Sequence, residues 1–117
     1  MKWSANDMPK SSQSTQIAKT GMTSDDYQKL ITSDKKVLVN FTAVWCGPCQ
    51  KMKPYVLKLQ EELKDQIKIV RLDADENKAL VDGMKIDGLP TIIVYDNGKE
   101  VWRNIGYITE EELRKHL

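Results

Sequence analysis

The hydrophobic and polar positions follow two different periodicities along the 117-residue chain. Residues 37–43 form a β-branched and apolar run after two lysines, which is typical of a buried central strand. Apolar side chains then recur every three or four positions and predict the buried face of a long helix. These side chains belong to Cys49, Met52, Val56, Leu59 and Leu63. Pro54 lies inside this helix, where we expect it to produce a kink.

The second half of the chain predicts three more strands and a short helix. The strands cover residues 67–72, 91–95 and 99–105, and the helix covers residues 78–84. The last two strands are separated by Asp-Asn-Gly, a strong signal for a tight hairpin because Asn and Gly both tolerate positive φ. We expect Trp102, on the last strand, to pack against the domain rather than contact a partner.

Two threonines mark the starts of the first and last helices. Thr23 begins the sequence Thr-Ser-Asp-Asp and Thr109 begins Thr-Glu-Glu-Glu, and both fit a capping box. In the last helix we expect Leu113 and Leu117 to face inward. The order helix, strand, helix, strand, helix, hairpin, helix predicts an α/β fold. Its mixed central sheet is flanked by helices on both faces.

The first sixteen residues differ in composition from the rest of the chain. They are polar, and residues 11–16 are typical of a flexible linker. We therefore predict a disordered or linker-like tail over residues 1–16 and one domain over residues 17–117. The tail has neither the apolar stretch nor the cleavage site of a signal peptide, so the sequence as written predicts a cytoplasmic location. A linker at this point leaves open the alternative that this chain is one domain of an exported protein, which would act outside the cytoplasm.

The charge balance offers no reason to expect a nucleic-acid partner. Lys and Arg number 18 and Asp and Glu 17, and no stretch approaches the roughly 20 apolar residues of a membrane span. We expect a monomer that recognises proteins by shape, backbone contacts and apolar surface. The two cysteines and a single histidine, His116, cannot supply the four ligands of a closed zinc site, so we expect no metal. His116 itself is expected to be solvent-exposed.

The two cysteines lie in residues 45–49, which read Trp-Cys-Gly-Pro-Cys, where the central strand passes into the long helix. A separation of three residues on a helical turn brings the two sulfurs to the same side, close enough to bridge. Cys46 lies at the helix N-terminus, where free N–H groups and the macrodipole stabilise a thiolate. Pro48 is tolerated in the first turn and stiffens the segment between the sulfurs.

This placement predicts different roles for the two cysteines. We expect Cys46 to be the exposed attacking thiol, which forms a mixed disulfide with a substrate. Cys49, one turn deeper, would be the resolving thiol that releases the reduced substrate and closes the disulfide. The alternative is a pair of inert core cysteines, which the strand-to-helix position makes the less favoured interpretation.

Residues 45–49 are identical to the active-site motif of the thioredoxins, and the resemblance extends from about residue 17 to residue 117. It includes Pro54, the segment Leu-Pro-Thr at residues 89–91, and Gly106. The resemblance implies a thioredoxin fold and a protein-disulfide reductase that uses its own redox-active disulfide and no separate cofactor. Its partners would be protein disulfides and an electron-donating reductase.

The same resemblance implies a cis peptide bond before Pro90, placed against the disulfide. Proline is the residue for which the cis form is inexpensive, and an ordinary proline at the start of a strand is the alternative. The implied substrate-facing surface combines the active-site motif with the two loops that contain Gly88 and Gly106, where a small residue lets a partner backbone approach. The alternative for these two glycines is that they are present only because a turn requires them. The members of the implied surface are Trp45, Gly47, Pro48, Gly88, Leu89, Pro90, Thr91 and Gly106.

Two positions beneath the motif depart from the family pattern. Thioredoxins carry a buried Asp six residues before the first cysteine, where this chain has Asn40, and usually a Lys where it has Arg71. An amide cannot titrate, so Asn40 cannot act as a general base, and we favour a hydrogen-bonded core residue. We expect Cys49 to lose its proton less readily than in a relative with Asp. Arg71 is expected to pair with a neighbour or face solvent.

Three functions remain open from the sequence. The first is a general protein-disulfide reductase, which the Gly-Pro between the cysteines favours. The second is a dedicated reductase domain of an exported or membrane-tethered thiol pathway, because Asn-Phe-Thr-Ala at residues 40–43 resembles the thioredoxin-like domains of periplasmic and membrane-linked thiol reductases. The third is a redox-silent binding module on the same fold, against which the intact cysteine pair argues.

Overall fold

A computed structural model describes residues 21–117 of the chain. The predicted tail over residues 1–16 and the predicted domain start at residue 17 lie outside this part, so both stay predictions, as does the cytoplasmic location. None of the helices within residues 21–117 is both long enough and apolar enough to span a membrane.

The described part of the chain contains four helices and four strands in the predicted order. They are α1 (Ser24–Ile31), β1 (Lys36–Thr42), α2 (Gly47–Glu62), β2 (Ile67–Asp73), α3 (Lys78–Gly83), β3 (Thr91–Asp96), β4 (Lys99–Ile105) and α4 (Glu110–Arg114). The helix α2 continues through Pro54. The predicted strand and helix positions agree with these bounds to within one or two residues, apart from the end of α4, which was expected to extend to Leu117.

The four strands form one mixed sheet in the order β2-β1-β3-β4. The strand β1 runs parallel to β2 and antiparallel to β3, and β3 pairs antiparallel with β4. Because β1 lies inside the sheet and is buried along nearly its whole length, it fixes the position of the segment that follows it. The predicted α/β class with a mixed sheet is confirmed.

Local sequence signals account for the helix starts and the hairpin. Thr23 and Thr109 are the N-caps of α1 and α4, and their Oγ1 atoms accept the backbone N–H groups of Asp26 and Glu112. The hairpin residue Asn97 has φ of 53° and Gly98 has φ of 80°, as an Asn-Gly turn requires. These three short-range predictions are confirmed.

The sheet separates two hydrophobic layers because alternate side chains of a strand point to opposite faces. Val39 and Phe41 of β1 face α1 and α3, where they pack with Tyr27 and Leu80. Leu38 faces the opposite layer, beneath α2 and α4. That second layer includes Met52, Val56 and Leu59 of α2, Ile67 and Ile69 of β2, and Leu113 of α4. Helices therefore cover both faces of the sheet, as predicted.

The C-terminal aromatic contacts confirm one prediction and correct another. Trp102 packs against the layer beneath α2 and α4, as expected, and Leu117 is partly buried there. His116 was expected to be exposed, but it is half-buried because its ring stacks on Trp102. The two ring centroids lie 4.0 Å apart and the planes differ by 10°. The flat indole surface on β4 offers the imidazole a stacking partner that local sequence could not indicate.

Candidate active site

The candidate site forms where β1 passes into α2. Cys46 is the N-cap of α2, and Pro48 occupies its first turn, where its missing N–H leaves no helical hydrogen bond unmade. The Sγ atom of Cys46 accepts the backbone N–H of Cys49 at 3.3 Å. The two cysteines form a disulfide across this turn, with their Cα atoms 5.2 Å apart. The sulfur of Cys46 therefore lies at the positive end of a 16-residue helix.

Both cysteines are buried in the disulfide form. Cys46 is 5% exposed and Cys49 is 3% exposed, and they pack with Ala43 and the partly buried Leu89. The expectation that Cys46 would be exposed is therefore wrong for this state. Its sulfur is bonded to Cys49 and covered by this small cluster, whereas helix-end position alone predicts only that the residue lies near the surface.

The segment before β3 lies against the cysteine pair. The peptide bond between Leu89 and Pro90 is cis, as the resemblance implied. The Oγ1 of Thr91 donates to the carbonyl of Gly88 at 2.6 Å, and the N–H of Gly106 donates to the carbonyl of Pro90 at 2.7 Å. The segment is thus fastened to the end of β4 while Leu89 contacts the cysteine cluster.

The two glycines of the implied substrate surface meet different constraints. Gly106 has φ of 99°, which strongly favours glycine, so turn chemistry alone explains its presence. A Cβ on Gly88 would lie 3.2 Å from the side chain of Ile105. Gly88 therefore keeps the segment before Pro90 close to the end of β4.

Four exposed apolar side chains either precede Cys46 in the chain or belong to the segment after β3 that contacts the site. Val44 and Trp45 precede Cys46, whereas Ile105 and Tyr107 flank Gly106. Trp45 is 67% exposed, yet its Nε1 donates to Asp75 Oδ2 at 2.7 Å, which holds the indole in one orientation. The sequence predicted Trp45 in this surface but missed the other three, because single exposed apolar residues carry no signal by themselves.

An open groove of about 550 Å³ lies on the α2 side of the site. It is lined by Gly47, Pro48, Lys51 and Tyr107. The Nζ of Lys51 lies 5.4 Å from the centroid of the Tyr107 ring. Tyr55 of the same helix donates its hydroxyl hydrogen to the carbonyl of Ile108, and burial raises the pKa of Tyr55 to about 12. These contacts place the segment after β4 beside the turn that carries the cysteines.

Asn40 and Arg71 are partners in the register of β1 and β2. Each lies two residues from a strand residue that packs beneath α2, so both belong to the sheet face that α2 covers, and both are buried. The Nδ2 of Asn40 donates to the carbonyl of Phe41 at 3.3 Å, which agrees with a hydrogen-bonded core amide. Arg71 was expected to pair or to face solvent, but within residues 21–117 it forms no ion pair, and the residue as a whole is buried. It is 5% exposed, its Nε has no hydrogen-bond partner, and burial lowers the pKa of its guanidinium.

Comparisons with known proteins agree with this geometry. The family model described as Thioredoxin matches residues 18–117. A thioredoxin of Alicyclobacillus acidocaldarius is 36% identical over 96 residues, which cover 82% of this chain and 91% of that protein. Thioredoxin Y1, chloroplastic, of Arabidopsis thaliana is 39% identical over 88 residues, which cover 75% of this chain. The chain spans about half the length of that chloroplast relative, 51%.

Solved structures show the same fold. A mutant thioredoxin of Halobacterium salinarum superposes with a TM-score of 0.73 at 29% identity, covering 83% of this chain and 84% of that one. Mitochondrial thioredoxin 3 of Saccharomyces cerevisiae, in its oxidized form, superposes with a TM-score of 0.72 at 28% identity, covering 83% of this chain and 91% of that one.

Fold, cysteine pair and relatives together define the class of the described domain, which is a thiol–disulfide oxidoreductase. The chain belongs to the thioredoxin family. Members of this family carry electrons on their own disulfide, so the Cys46–Cys49 pair takes the place of a separate cofactor.

Proposed function

We propose that this protein reduces disulfides in protein substrates, with Cys46 as the attacking thiol and Cys49 as the resolving thiol. The observation that carries the proposal is the N-cap position of Cys46, whose sulfur accepts the Cys49 N–H at the start of α2. A thiolate in this position is stabilised more than a thiolate inside the helix, because the free N–H groups and the positive end of the macrodipole point at its sulfur.

The reaction then runs in two balanced exchanges. The Cys46 thiolate attacks one sulfur of the substrate disulfide, forms a mixed disulfide and releases the other substrate sulfur as a thiolate. The Cys49 thiolate next attacks the Cys46 sulfur, which forms the Cys46–Cys49 disulfide and releases the second substrate thiolate. Two electrons pass from the cysteine pair to the substrate, and a reductase that donates two electrons restores the dithiol.

The surface around the pair suits an extended protein segment. Trp45, Gly47 and Pro48 adjoin the cysteines along the chain, and Leu89 packs against the pair. Gly106 donates its N–H to the carbonyl of Pro90. In this proposal the backbone next to Pro90 pairs with the substrate chain, since proline leaves no N–H of its own to satisfy locally. The exposed Val44, Ile105 and Tyr107 add apolar contact area.

An insulin-reduction assay tests the proposal. With dithiothreitol as electron source, we expect turnover by the wild-type chain and none by Cys46→Ser. The absence of turnover by the folded wild-type chain would refute the proposal and favour a binding module. Turnover with a thioredoxin reductase would support a general reductase, whereas turnover with dithiothreitol alone would favour a dedicated electron donor.

A further inference from the structure

The open groove beside the cysteine turn is lined by one cation and no carboxylate. Its lining residues are Gly47, Pro48, Lys51 and Tyr107. Gly47 and Pro48 are the two residues between the cysteines, so a group that fills the groove lies next to the disulfide. The groove volume of about 550 Å³ is within the range of typical ligand sites. The groove can therefore receive side chains of a substrate while its disulfide is being reduced.

The cation of this groove is held beside an aromatic wall. The Nζ of Lys51 lies 5.4 Å from the centroid of the Tyr107 ring, within the distance at which an aromatic face attracts a cation. Tyr107 is half-exposed, so its ring remains accessible from the groove. Within residues 21–117, Lys51 forms no ion pair with a carboxylate. Its ammonium group is therefore free to bind an anion that a substrate brings.

Carboxylates on the neighbouring elements are engaged with other groups. Glu110, at the start of α4, forms an ion pair with Lys58. Asp75 accepts the indole N–H of Trp45 at 2.7 Å. Neither carboxylate neutralises Lys51, so the groove keeps a positive charge that is complementary to an acidic side chain.

We propose that the groove selects protein disulfides with an acidic residue about two positions from the attacked cysteine, and that Lys51 binds its carboxylate. The inference rests on the proposed function, in which the substrate forms its mixed disulfide with Cys46. Lys51 follows Cys46 by five residues, or about 7.5 Å along the helix axis. An extended substrate chain covers that length in about two residues. Lys51 is thus a specificity residue that acts on substrate binding and takes no part in the thiol exchange.

The test uses peptides that are dimerised through a single cysteine and carry Asp or Asn at one position, from three before to three after that cysteine. Stopped-flow mixing with the reduced chain gives a second-order rate constant for each peptide. Each Asp-to-Asn ratio is divided by the same ratio for dithiothreitol, which cancels the intrinsic reactivity of the peptide. At low ionic strength we expect this normalised ratio to reach about 2 to 5 at two positions from the cysteine, on one side of it or both.

Three variants separate Lys51 from its surroundings. Lys51→Gln should bring the normalised ratio close to one, and Lys51→Glu should invert the preference. Lys53→Gln is the matched control, because it removes a charge of the same sign from an exposed position about 200° around the same helix. This control should keep the wild-type ratio. Added salt should lower the ratio of the wild-type chain, since an exposed charge pair is screened.

Two results would overturn the inference. One is a normalised ratio of one at every position in a wild-type chain that reduces the peptides. The other is a preference for Asp that Lys51→Gln leaves unchanged, because a different group would then bind the carboxylate. Failure of the folded wild-type chain to reduce any peptide or insulin would refute the proposed function and this inference with it, so the two failures are distinguishable.

Discussion

The Sγ atom of Cys46 accepts the backbone N–H of Cys49 at 3.3 Å, so the first sulfur of the motif is a helix-capping group. This contact gives the two cysteines unequal environments although both are buried. Cys46 lies at the end of the helix, among N–H groups that favour a negative sulfur, and Cys49 lies inside the first turn. The asymmetry is the basis for assigning attack to one thiol and resolution to the other.

Asn40→Asp should change the kinetics of the resolving step. An aspartate can accept a proton and asparagine cannot, so a carboxyl at this buried position would supply the base that the wild-type chain lacks. We expect the rate of mixed-disulfide resolution to rise at least several-fold and its pH dependence to gain the titration of the new carboxyl. Stopped-flow reduction of a substrate disulfide across pH 6–9 measures this. A rate that is unchanged throughout would show that position 40 has no part in proton transfer.

Asp75→Ala should weaken reduction of protein substrates more than that of small disulfides. The carboxylate of Asp75 holds the exposed Trp45 indole through a hydrogen bond of 2.7 Å. Without it, the indole must be ordered during binding, at a cost of about 0.5–1.5 kcal/mol, which corresponds to a roughly 2- to 10-fold lower kcat/KM for insulin.

The control for this variant is Asp96→Ala, in the hairpin at the far end of β3, which should leave both substrates unaffected. An equal loss of kcat/KM for insulin and for a small aromatic disulfide would contradict the prediction. It would mean that Asp75 acts on the chemistry of the cysteines rather than on the Trp45 surface.

Two leucines of α2 should differ sharply in their effect on stability. Leu59 is fully buried beneath the helix, and Leu59→Ala should lower the free energy of unfolding by about 2–5 kcal/mol because it leaves a cavity. Leu57 is 39% exposed, and Leu57→Ala should cost much less. Chemical denaturation of both variants in the oxidised state checks the pair. Similar losses at the two positions would contradict the assigned helix face.

The Glu100–Arg103 pair on β4 should stabilise the domain only above acidic pH. A hydrogen bond from Arg103 lowers the pKa of the Glu100 carboxyl below its usual value in the folded state. This stability is therefore present above the unfolded-state pKa and is lost as the pH falls through the lower folded-state pKa.

Glu100→Gln should accordingly reduce the free energy of unfolding at pH 7 but not near pH 2. The pair is partly exposed, so solvent screening limits the effect to about 0.5 kcal/mol. Denaturation at the two pH values measures the difference. Glu61→Gln removes a more exposed carboxylate paired with Lys64 and serves as the control, with no expected change at either pH. A loss of equal size at both pH values would argue against the ion pair as its cause.

The sequence predicted those features that depend on neighbouring residues. The caps Thr23 and Thr109 and the Asn97-Gly98 turn each act within a few residues, so their patterns identify them directly. The face of α2 followed from the spacing of its apolar residues. The position of Cys46 at the helix start followed in the same way from the end of a strand run and a proline.

Features that depend on tertiary packing escaped the sequence. The burial of Cys46 needs Ala43 and Leu89 from separate segments, and the half-burial of His116 needs Trp102 on another element. The contact of Tyr107 with Lys51 likewise joins distant segments. The unpaired state of Arg71 could not be foreseen either, because it depends on where every nearby carboxylate points in the folded chain.

Trapping of the mixed disulfide tests the central claim most directly. Cys49→Ser removes the resolving thiol and keeps the attacking one, whereas Cys46→Ser does the reverse. After each reduced variant is mixed with a disulfide-bonded protein substrate, mass spectrometry measures the fraction of the variant that is linked to the substrate by a disulfide. We predict a stable one-to-one adduct through Cys46 in Cys49→Ser and little or none in Cys46→Ser. An adduct that forms through Cys49 in Cys46→Ser, with none in Cys49→Ser, would contradict the assigned roles.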